Sequence, residues 1–266
     1  MVSRPNCAAM PGGDVERMFD GEVALVTGGS SGIGRAAALA FAAQGAKVVV
    51  ASRRPEESEE TVRQIIAAGG SAIFVKTDVS QAAQVQALVA RTVAEYGGLN
   101  HAFNNAGIEG TAFVPVQHYS EETWDSVIAI NLKGVFLSMK YELPELLKTR
   151  GAIVNMASVA GLKSSRMGMA YAASKHGVVG MTKAAAVEYA DKGVRINAVA
   201  PAVIVTPMAE RAFFQDPTVQ ARVVAMHPLG RLGQPEEVAQ AVIWLCSKAA
   251  SFTTGHTLPV DGGLLA

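Results

Sequence analysis

The sequence is poor in cysteine and in charge and has no long apolar run, and each shortage excludes a class of protein. Cys7 and Cys246 are its two cysteines, too few for a disulfide scaffold in 266 residues and typical of a reducing compartment. Its 23 basic residues balance its 23 acidic ones, so no positive excess is present to bind nucleic acid. No segment has the roughly 18 apolar residues of a membrane span, and the first residues lack the apolar core of a signal peptide. We therefore expect a cytoplasmic protein that binds neither membrane nor nucleic acid.

Apolar residues, in contrast, make up 50% of the chain, and many lie in short β-branched runs separated by helix-length segments. Because these runs are apolar throughout rather than alternating, they are typical of strands buried on both faces. The predicted strands are 23–27, 47–51, 72–75, 99–104, 152–155, 194–199 and 257–260. The predicted helices are 33–44, 56–68, 81–96, 121–148, 171–191 and 235–248.

This alternation of strands and helices predicts an α/β fold, a Rossmann-type doubly wound parallel sheet with helices on both faces. No internal repeat or low-complexity linker interrupts it, so we expect a single domain over residues 21–266. Residues 1–20 lack periodicity and are predicted to be a flexible tail. Ligands of such folds bind at the carboxyl ends of the strands, so the residues that follow the strands are the candidates for a site.

The first predicted strand leads through a glycine-rich segment into a helix. Glycine lets backbone N–H groups approach an anion closely, and the helix N-terminus adds free donors and a positive dipole end. At this strand–helix junction the segment predicts a dinucleotide phosphate site, although an ordinary glycine turn has the same composition. The predicted cofactor contacts here are Gly28, Ser30, Ser31, Gly32, Ile33 and Gly34.

The second strand leads into Ser52, Arg53 and Arg54, where a dinucleotide-binding fold contacts the adenine ribose. A carboxylate here would bind the ribose 2′-hydroxyl of NAD(H), and none is present until Glu56. Guanidinium groups bind phosphate oxygens, so Arg53 and Arg54 predict NADP(H), with a hydroxyl contact from Ser52. The alternative is NAD(H) with two solvated arginines.

Two further strand ends are predicted to extend the cofactor groove. Asp78 and Val79 follow the third strand, where the Asp78 carboxylate would accept a hydrogen bond from the adenine amino group. Asn105, Ala106 and Gly107 follow the fourth strand, where small residues and an amide would lie along the ribose. Asn, Asp and Gly also form plain turns, so both segments have a structural alternative.

Tyr171 and Lys175 lie four residues apart at the start of a helical segment, so their side chains share one helix face. A phenol with an ordinary pKa near 10 is a poor acid–base catalyst at neutral pH. We expect the ammonium group to lower the pKa of Tyr171 by roughly one to three units. The structural alternative is a half-buried tyrosine beside a solvated lysine.

Two uncharged polar residues complete the candidate catalytic set of Asn131, Ser158, Tyr171 and Lys175. Ser158 follows the fifth strand, at the carboxyl edge of the predicted sheet. Asn131 interrupts an apolar helix face, where a buried amide is costly unless it finds a partner. Ser158 and Tyr171 would together donate hydrogen bonds to a developing oxyanion.

The motifs TGGSSGIG, NNAG and YAASK, with Asn131 and Ser158, resemble the short-chain dehydrogenase/reductase family in order and spacing. The resemblance extends from about Gly21 to the C-terminus and implies strand order 3-2-1-4-5-6-7, a nicotinamide cofactor and hydride transfer at a carbinol carbon. It implies that Tyr171 is the general acid–base and that Lys175 holds the nicotinamide ribose and tunes Tyr171. It also implies that Ser158 binds the substrate oxygen and that Asn131 positions a proton-relaying water.

The sixth strand is followed by one departure from the family pattern, Pro201-Ala202 in place of the usual Pro-Gly. If the backbone there is left-handed, Ala202 is strained. Otherwise the segment matches, and the resemblance places Pro201, Ile204 and Thr206 against the nicotinamide.

Apolar side chains near these positions suggest an apolar or mixed substrate pocket, and core or interface roles fit them equally well. Segment 202–231 is predicted to be a long loop that acts as a lid. The candidate pocket residues are Ile108, Val159, Met167, Met169, Met208, Phe213, Phe214, Val223, Val224 and Met226.

Together these observations predict an NADP(H)-dependent ketone or aldehyde reductase that acts on a small carbonyl or alcohol substrate. The alternatives are an NAD-dependent secondary alcohol or diol dehydrogenase and a 3-oxoacyl-carrier-protein reductase. A non-enzymatic cofactor sensor is disfavoured, because Tyr171 and Lys175 are both intact. The five histidines show no zinc-ligand spacing, so no metal is predicted. The resemblance implies a homotetramer.

Overall fold

The computed structural model describes residues 17–163 and 168–266. In these two stretches seven strands form one parallel sheet of order β3-β2-β1-β4-β5-β6-β7, which confirms the predicted Rossmann-type fold. Each predicted strand is present, with its ends shifted by two residues or fewer. The strands are β1 (Val23–Thr27), β2 (Lys47–Ser52), β3 (Ser71–Lys76), β4 (His101–Asn104), β5 (Ala152–Met156), β6 (Arg195–Pro201) and β7 (Thr257–Val260).

The central strands are apolar because both of their faces are covered. In β1, Val23 and Leu25 face one layer of helices, whereas Ala24 and Val26 face the other. Parallel pairing also aligns the strand ends: the last residue of β1 pairs with Ala51 of β2 and with Asn104 of β4. The residues that follow these strands therefore lie along one edge of the sheet.

Helices form a layer on each face of the sheet. They are α1 (Gly32–Ala43), α2 (Pro55–Ala67), α3 (Ala82–Tyr96), α4 (Glu121–Val127), α5 (Gly134–Thr149), α6 (Met169–Tyr189), α7 (Pro207–Phe213), α8 (Pro217–Ala225) and α9 (Pro235–Cys246). One layer contains α1, α2 and α9, which bury Phe41, Ile65 and Val242. The other contains α3, α5 and α6, which bury side chains such as Leu88 and Val178.

The long helix predicted over 121–148 is interrupted. A π-helical segment, Ile128–Lys133, lies between α4 and α5. Such segments close their hydrogen bonds one residue later than an α-helix does, which widens the turn locally. Asn131 lies in this widened turn and is fully buried.

The segment 202–231 is not the loop that the sequence analysis predicts, because it contains α7 and α8. Thr206 accepts a hydrogen bond from the N–H of Ala209 at 3.3 Å, and Asp216 accepts one from the N–H of Thr218 at 2.7 Å. Each of these caps is followed by a proline at the first helical position, where a missing N–H costs nothing. The prediction is wrong because proline at these two positions starts a helix rather than a loop.

Phe19, within the predicted tail, packs against the sheet. Phe19 is buried, with its ring centroid 5.5 Å from that of Phe41 and 4.6 Å from that of His101. Its N–H donates to the carbonyl of Gln44 at 2.9 Å. This aromatic contact joins the last residues of the predicted tail to the amino edge of the sheet. The rest of that prediction, residues 1–16, lies outside the described residues.

Two kinds of feature are absent from the described ranges. In residues 17–163 and 168–266 there is no helix with the length and apolar character to cross a bilayer. The same ranges hold no group of three His, Cys, Asp or Glu side chains arranged to bind a metal ion.

Candidate active site

A cavity of about 950 Å³ opens along the carboxyl edge of the sheet. Its lining comes from the segments that follow β1 to β6, so the parallel sheet itself brings them together. Every predicted cofactor contact lines this cavity, from Gly28 to Thr206, and so do Ser158, Tyr171 and Lys175. Asn131 lies behind the cavity wall and is fully buried.

The turn between β1 and α1 is shaped by two glycines that cannot carry a side chain. Gly28 has a φ of +68°, and a Cβ there would lie 2.7 Å from Nδ2 of Asn105. A Cβ on Gly34 would collide with the carbonyl oxygen of Gly28. The chain therefore folds tightly enough to leave an open cradle at the amino end of α1.

The amino end of α1 presents unpaired donors and a positive dipole end to that cradle. Its N-cap, Ser31, makes no side-chain capping bond, and its first turn contains no acidic residue. Free N–H groups at a helix N-terminus bind anions such as a diphosphate. The cradle fits a dinucleotide, because the close packing that Gly28 and Gly34 allow leaves the amino end of α1 facing the cavity, with no acidic residue in its first turn.

Two arginines organise the same turn. Arg35 Nη2 donates to the carbonyl of Ser30 at 2.6 Å. Arg54 Nη2 donates to the hydroxyls of Ser30 and Ser31, each at 2.7 Å, while its Nη1 lies 3.2 Å from Oε1 of Glu57. Arg54 is thus held against the glycine turn although half of its side chain remains exposed.

Ser52 and Arg53 occupy different settings beside it. Ser52 Oγ accepts a hydrogen bond from the N–H of Arg54 at 3.0 Å and lies 2.7 Å from Oγ of Ser58. Its hydroxyl therefore stabilises the turn after β2, and any bond to a bound phosphate would compete with these contacts. Arg53 is exposed at the rim of the cavity.

Asp78 stabilises a local turn, which is the structural alternative given above for this residue. Its Oδ1 accepts hydrogen bonds from the N–H and the hydroxyl of Ser80, at 3.0 and 2.7 Å. These bonds use one oxygen of the carboxylate. Val79 lines the cavity and also packs in a small cluster with Val85 and Ile130.

Asn105 joins the end of β4 to the glycine turn. Its Nδ2 donates to the carbonyls of Thr27 and Gly28, at 3.0 and 3.2 Å. Its own N–H and that of Ala106 donate to Oγ1 of Thr27, at 3.0 and 3.1 Å. The Asn105 side chain is therefore structural, and the small residues Ala106 and Gly107 complete this wall of the cavity.

Ser158, Tyr171 and Lys175 converge in another part of the cavity. Lys175 follows Tyr171 by one turn of α6, and its Nζ lies 5.5 Å from the centroid of the phenol ring. The same Nζ donates to the carbonyl of Met156, at the end of β5, at 2.8 Å. The hydroxyl of Ser158 interacts with Tyr171 and accepts a hydrogen bond from the N–H of Ala160 at 3.1 Å.

Burial dominates the protonation of the phenol. It raises the pKa of Tyr171, against the opposing effect of the Ser158 hydroxyl, and the Glu109 carboxylate raises this pKa further. Burial also lowers the pKa of Lys175 to about 8. The predicted fall in the Tyr171 pKa is therefore wrong for this structure, because burial disfavours the phenolate more strongly than its neighbours stabilise it.

Asn131 holds the segment after β4 in place. Its Oδ1 accepts from the N–H of Ile108 at 2.8 Å, and its Nδ2 donates to the carbonyl of Ile108 at 2.9 Å and to Ser174 Oγ at 3.3 Å. A Cβ built on Gly107 would lie 3.2 Å from Asn131 Oδ1 and 3.7 Å from Lys175 Nζ. Asn131 and Lys175 therefore both pack against Gly107.

The segment after β6 closes over the glycine turn without strain at Ala202. Within the described residues, the non-glycine positions with a left-handed φ are Phe113 and Arg150. The backbone at Ala202 is thus not left-handed, and the condition for strain there is not met. A Cβ on Gly32 would lie 3.1 Å from Cγ2 of Thr206, so this segment directly contacts the turn between β1 and α1.

The rest of the cavity has mainly apolar walls. The predicted pocket residues that line it are Ile108, Val159, Met208, Phe213, Val223 and Met226. Phe214 and Val224 do not line it, because neighbouring residues of a helix point in different directions. Met169 is also absent from the lining and is 47% exposed, and Met167 lies outside the described residues.

Two long-range contacts at this cavity have no signal in the sequence. Arg211 of α7 forms an ion pair with Glu109, its Nη2 lying 3.0 Å from Oε1. Lys163 Nζ donates to the carbonyl of Leu264 at 3.2 Å, which places the C-terminal segment in the cavity wall. The paired residues are 102 and 101 positions apart, and no local motif marks them.

The Rossmann-type sheet, the phosphate cradle and the partly buried Tyr171 beside the buried Lys175 together define a dinucleotide-dependent oxidoreductase. Known proteins agree with that class. A family model described as enoyl-(acyl carrier protein) reductase matches residues 28–265. The chain is 48% identical over 245 residues to the cyclohexanol dehydrogenase of Acinetobacter sp. (strain SE19), covering 92% of this chain and 95% of that protein.

Two further proteins extend the comparison. The chain is 44% identical to a 2,5-dichloro-2,5-cyclohexadiene-1,4-diol dehydrogenase of Sphingobium indicum, covering 93% of this chain and 98% of that protein. The crystal structure of levodione reductase matches with a TM-score of 0.89 at 39% identity, covering 92% of this chain and 98% of that one. The protein belongs to the short-chain dehydrogenase/reductase family and acts on a CH–OH group with a nicotinamide cofactor.

Proposed function

We propose that the protein transfers a hydride between NADP(H) and a ketone or secondary alcohol carried on a compact apolar ring. The observation that carries this proposal is the convergence of Ser158, Tyr171 and Lys175 in the cavity that also contains the glycine cradle. When bound, the nicotinamide supplies the hydride chemistry, which no side chain of the protein can provide. The protein's own residues bind the substrate oxygen and move its proton.

Ser158 and Tyr171 hold the substrate oxygen between two hydroxyl donors, which stabilise the negative charge that develops on it during reduction. The Tyr171 hydroxyl then donates its proton to that oxygen, and in the oxidative direction the phenolate accepts it. Burial raises the pKa of Tyr171, so the phenol is protonated at neutral pH, and proton transfer depends on the basic alkoxide that develops on the substrate and on the charge of Lys175. The Lys175 ammonium group, held by the carbonyl of Met156, stabilises the phenolate that remains.

Asn131 acts mainly as a positioning residue in this proposal. Its amide bonds to both backbone groups of Ile108, and it shares a contact with Lys175 through Gly107. A water held between Asn131 and Lys175 would return protons from solvent to the phenol. Pro201, Ile204 and Thr206 would hold the nicotinamide end of the cofactor from the opposite wall.

The choice of NADP(H) rests on charge at the adenosine end. Arg53 and Arg54 line the cavity there, and β2 ends in Ser52 rather than in a carboxylate. Arg54 already binds two hydroxyls of the glycine turn, so its guanidinium is preorganised beside the phosphate cradle. A 2′-phosphate on the ribose would meet two arginines, whereas with NAD(H) the only anionic contact of Arg54 among the described residues would be its ion pair with Glu57.

The substrate class rests on the apolar walls and on two relatives. Ile108, Val159, Met208 and Phe213 line the cavity, together with the C-terminal Leu264. The named substrates of the two relatives, cyclohexanol and a chlorinated cyclohexadiene diol, are six-membered rings with secondary hydroxyls. A second candidate is an NAD-dependent diol dehydrogenase. The named substrate of the second relative favours a diol, and the Glu57 carboxylate favours NAD(H) because it partly neutralises Arg54.

The test measures kcat/KM with each of the two cofactors. Cyclohexanone and a 3-oxoacyl thioester are reduced with NADPH or NADH, and a cyclohexanediol is oxidised with NADP or NAD. We expect kcat/KM for cyclohexanone to be about tenfold or more higher with NADPH, because each charge-assisted bond to the 2′-phosphate is worth about 1.5 kcal/mol or more. Arg54→Ala should reduce that preference. Arg63→Ala is the matched control, since Arg63 is an exposed arginine paired with Glu60 outside the cavity. A preference for NADH in the wild-type enzyme would overturn the cofactor assignment.

We further propose a cytoplasmic homotetramer whose chain forms a single catalytic domain over residues 21–266. Exposed apolar side chains on three helices support assembly: Phe136 on α5, Val187 on α6 and Trp244 on α9 are 49%, 82% and 41% exposed. The buried free thiol of Cys246 fits a reducing compartment. Light scattering on the purified protein tests the assembly, and a monomeric mass would contradict it.

A further inference from the structure

Glu109 and Arg211 form an ion pair between two segments of the cavity wall. Nε and Nη2 of Arg211 lie 3.1 and 3.0 Å from the same oxygen of Glu109, Oε1. Arg211 belongs to α7, whereas Glu109 follows β4, and both residues line the cavity. The pair therefore joins the helical segment after β6 to the opposite side of the site.

Glu109 is held from the side of the candidate catalytic residues. It follows Ile108 directly, and both backbone groups of Ile108 are bonded to the buried amide of Asn131. Gly107, one residue earlier, packs against Asn131 and Lys175. The backbone that carries Glu109 is consequently fixed, and the Glu109 side chain is only 23% exposed.

Arg211 is connected to the cofactor side through α7. That helix begins at Pro207 and is capped by Thr206, whose side chain contacts the glycine turn at Gly32. A bond between α7 and Glu109 therefore links the two walls of the cavity at a second point, beyond the cap. The pair thus holds this seven-residue helix at its fifth residue, beyond the capped amino end.

We propose that the Glu109–Arg211 pair positions α7 over the substrate and sets the local charge around Tyr171. The inference rests on the proposed function and assigns Glu109 and Arg211 as positioning residues for it. The pair then has two separable effects: a mechanical one on α7, which needs both partners, and an electrostatic one on the phenol, in which the partners act with opposite sign.

The electrostatic effect depends on the charged groups near the phenol. Those of the described residues that line the same cavity wall or pack on the ring are Lys175 of α6, Glu109 after β4, Lys163 after β5, Arg211 of α7 and Arg222 of α8. The Glu109 carboxylate raises the pKa of Tyr171, and Arg211 offsets part of that charge by pairing with it. Removing the carboxylate should therefore make the phenol more acidic, and removing the guanidinium should make it less acidic.

The test uses Glu109→Gln and Arg211→Gln, both of which replace partly exposed side chains. Ultraviolet absorbance of the phenolate is titrated in each variant, and the same variant carrying Tyr171→Phe is subtracted to isolate this one phenol. We expect the midpoint to fall by about 0.5 pH unit or more in Glu109→Gln and to rise in Arg211→Gln. Shifts of the same sign in both variants, or no shift in either, would overturn the electrostatic effect.

Hydrogen exchange of residues 207–213 tests the mechanical effect without turnover. We expect faster exchange of this segment in both variants, because either one breaks the pair. The matched control is Glu145→Gln, which removes the carboxylate of the Lys148–Glu145 pair on α5, outside the cavity, and should leave exchange and titration unchanged. Unchanged exchange in Glu109→Gln and Arg211→Gln would refute the positioning of α7.

Turnover separates this inference from the proposed function. If the wild-type enzyme reduces cyclohexanone, kcat/KM can be measured as a function of pH. The part of this pH profile that reports the Tyr171 titration should move in opposite directions in the two variants. KM should rise in both variants. If the wild-type enzyme turns over none of the carbonyl or alcohol substrates, the proposed function fails. The titration and the exchange measurements then still decide whether the pair acts on Tyr171 and on α7.

Discussion

The two halves of the cavity are built in different ways. The cofactor half consists of short turns that directly follow β1 to β4, and their backbone is fixed by glycines and by the amides of Asn105 and Asn131. The substrate half consists of α7, α8 and the C-terminal segment, which are joined across the cavity by side chains. The sheet therefore determines the shape of the cofactor half, whereas the shape of the substrate half depends on contacts between segments that are distant in the sequence.

This difference explains why one fold can keep a cofactor while the substrate changes. A turn at the end of a buried strand cannot move without disturbing the sheet, so the cradle stays constant. A helix held by a partly exposed ion pair can be repositioned at modest cost, since pairs that face solvent are each worth about 1 kcal/mol or less. The relatives fit this picture, with similar lengths covered but different substrates named.

The largest expected effect is at Tyr171, which lies where the two halves meet. Tyr171→Phe removes the proton donor and leaves the ring, so we expect turnover to fall by about a thousandfold or more. NADPH affinity, measured by quenching or by calorimetry, should change less than about threefold, because the cofactor half is untouched. Substantial residual turnover would mean that another group moves the proton.

The second-largest effect is expected at Gly34, where an added methyl group would distort the glycine turn of the cofactor half. Gly34→Ala places a Cβ against the carbonyl of Gly28, so the cradle must open and NADPH affinity should fall by about a hundredfold or more. Gly98→Ala is the matched control, since a Cβ there meets nothing within 4 Å and φ is not left-handed. Equal NADPH affinity in the two variants would show that the cradle tolerates a side chain.

A third effect concerns Glu142 and the pH dependence of the protein's stability. Glu142 of α5 is buried, its Oε2 accepting a hydrogen bond from Nδ2 of Asn104 at 3.0 Å, and burial raises its pKa to about 7. Its protonated form therefore stabilises the fold fully below the unfolded pKa of 4.5, and this stability is lost as the pH rises through 7.

Urea unfolding at pH 5 and pH 8 measures this loss. We expect the wild-type protein to lose on the order of 2 to 3 kcal/mol from this group, whereas Glu142→Gln should lose much less, because its amide stays neutral. Glu145→Gln, three residues further along α5, should keep the wild-type pH dependence. A wild-type slope in Glu142→Gln would mean that other groups control the pH response.

The smallest effect is expected at Ala202, where the two halves join after β6. Its backbone is not left-handed, so Ala202→Gly relieves no strain and adds freedom to the unfolded chain. We expect the free energy of unfolding to fall by about 1 kcal/mol or less, with NADPH affinity unchanged. A more stable variant, measured by thermal unfolding, would reveal strain at this position.

The sequence predicts the cofactor half better than the substrate half, for a physical reason. Glycine turns, strand ends and a tyrosine–lysine pair one turn apart are local features, and each has its own residue signature. The contact between Glu109 and Arg211 spans 102 positions and has none. The direction of the Tyr171 pKa also escapes local reasoning, because burial depends on how the whole cavity closes. The starts of α7 and α8, in contrast, are predictable from the sequence, since a capping residue followed by proline is a recognised signature of a helix N-terminus.

The widened turn at Ile128–Lys133 has a consequence for how this chain can vary. A turn with one residue more than an α-helix needs behaves as a fixed insertion, so a single deletion there would let α4 and α5 merge into a regular helix. The deletion would remove the widened turn in which Asn131 bonds to Ile108, while α4 and α5 keep their faces because the extra residue is accommodated locally. Length changes in this stretch are therefore expected to be far less tolerated than substitutions of its surface residues.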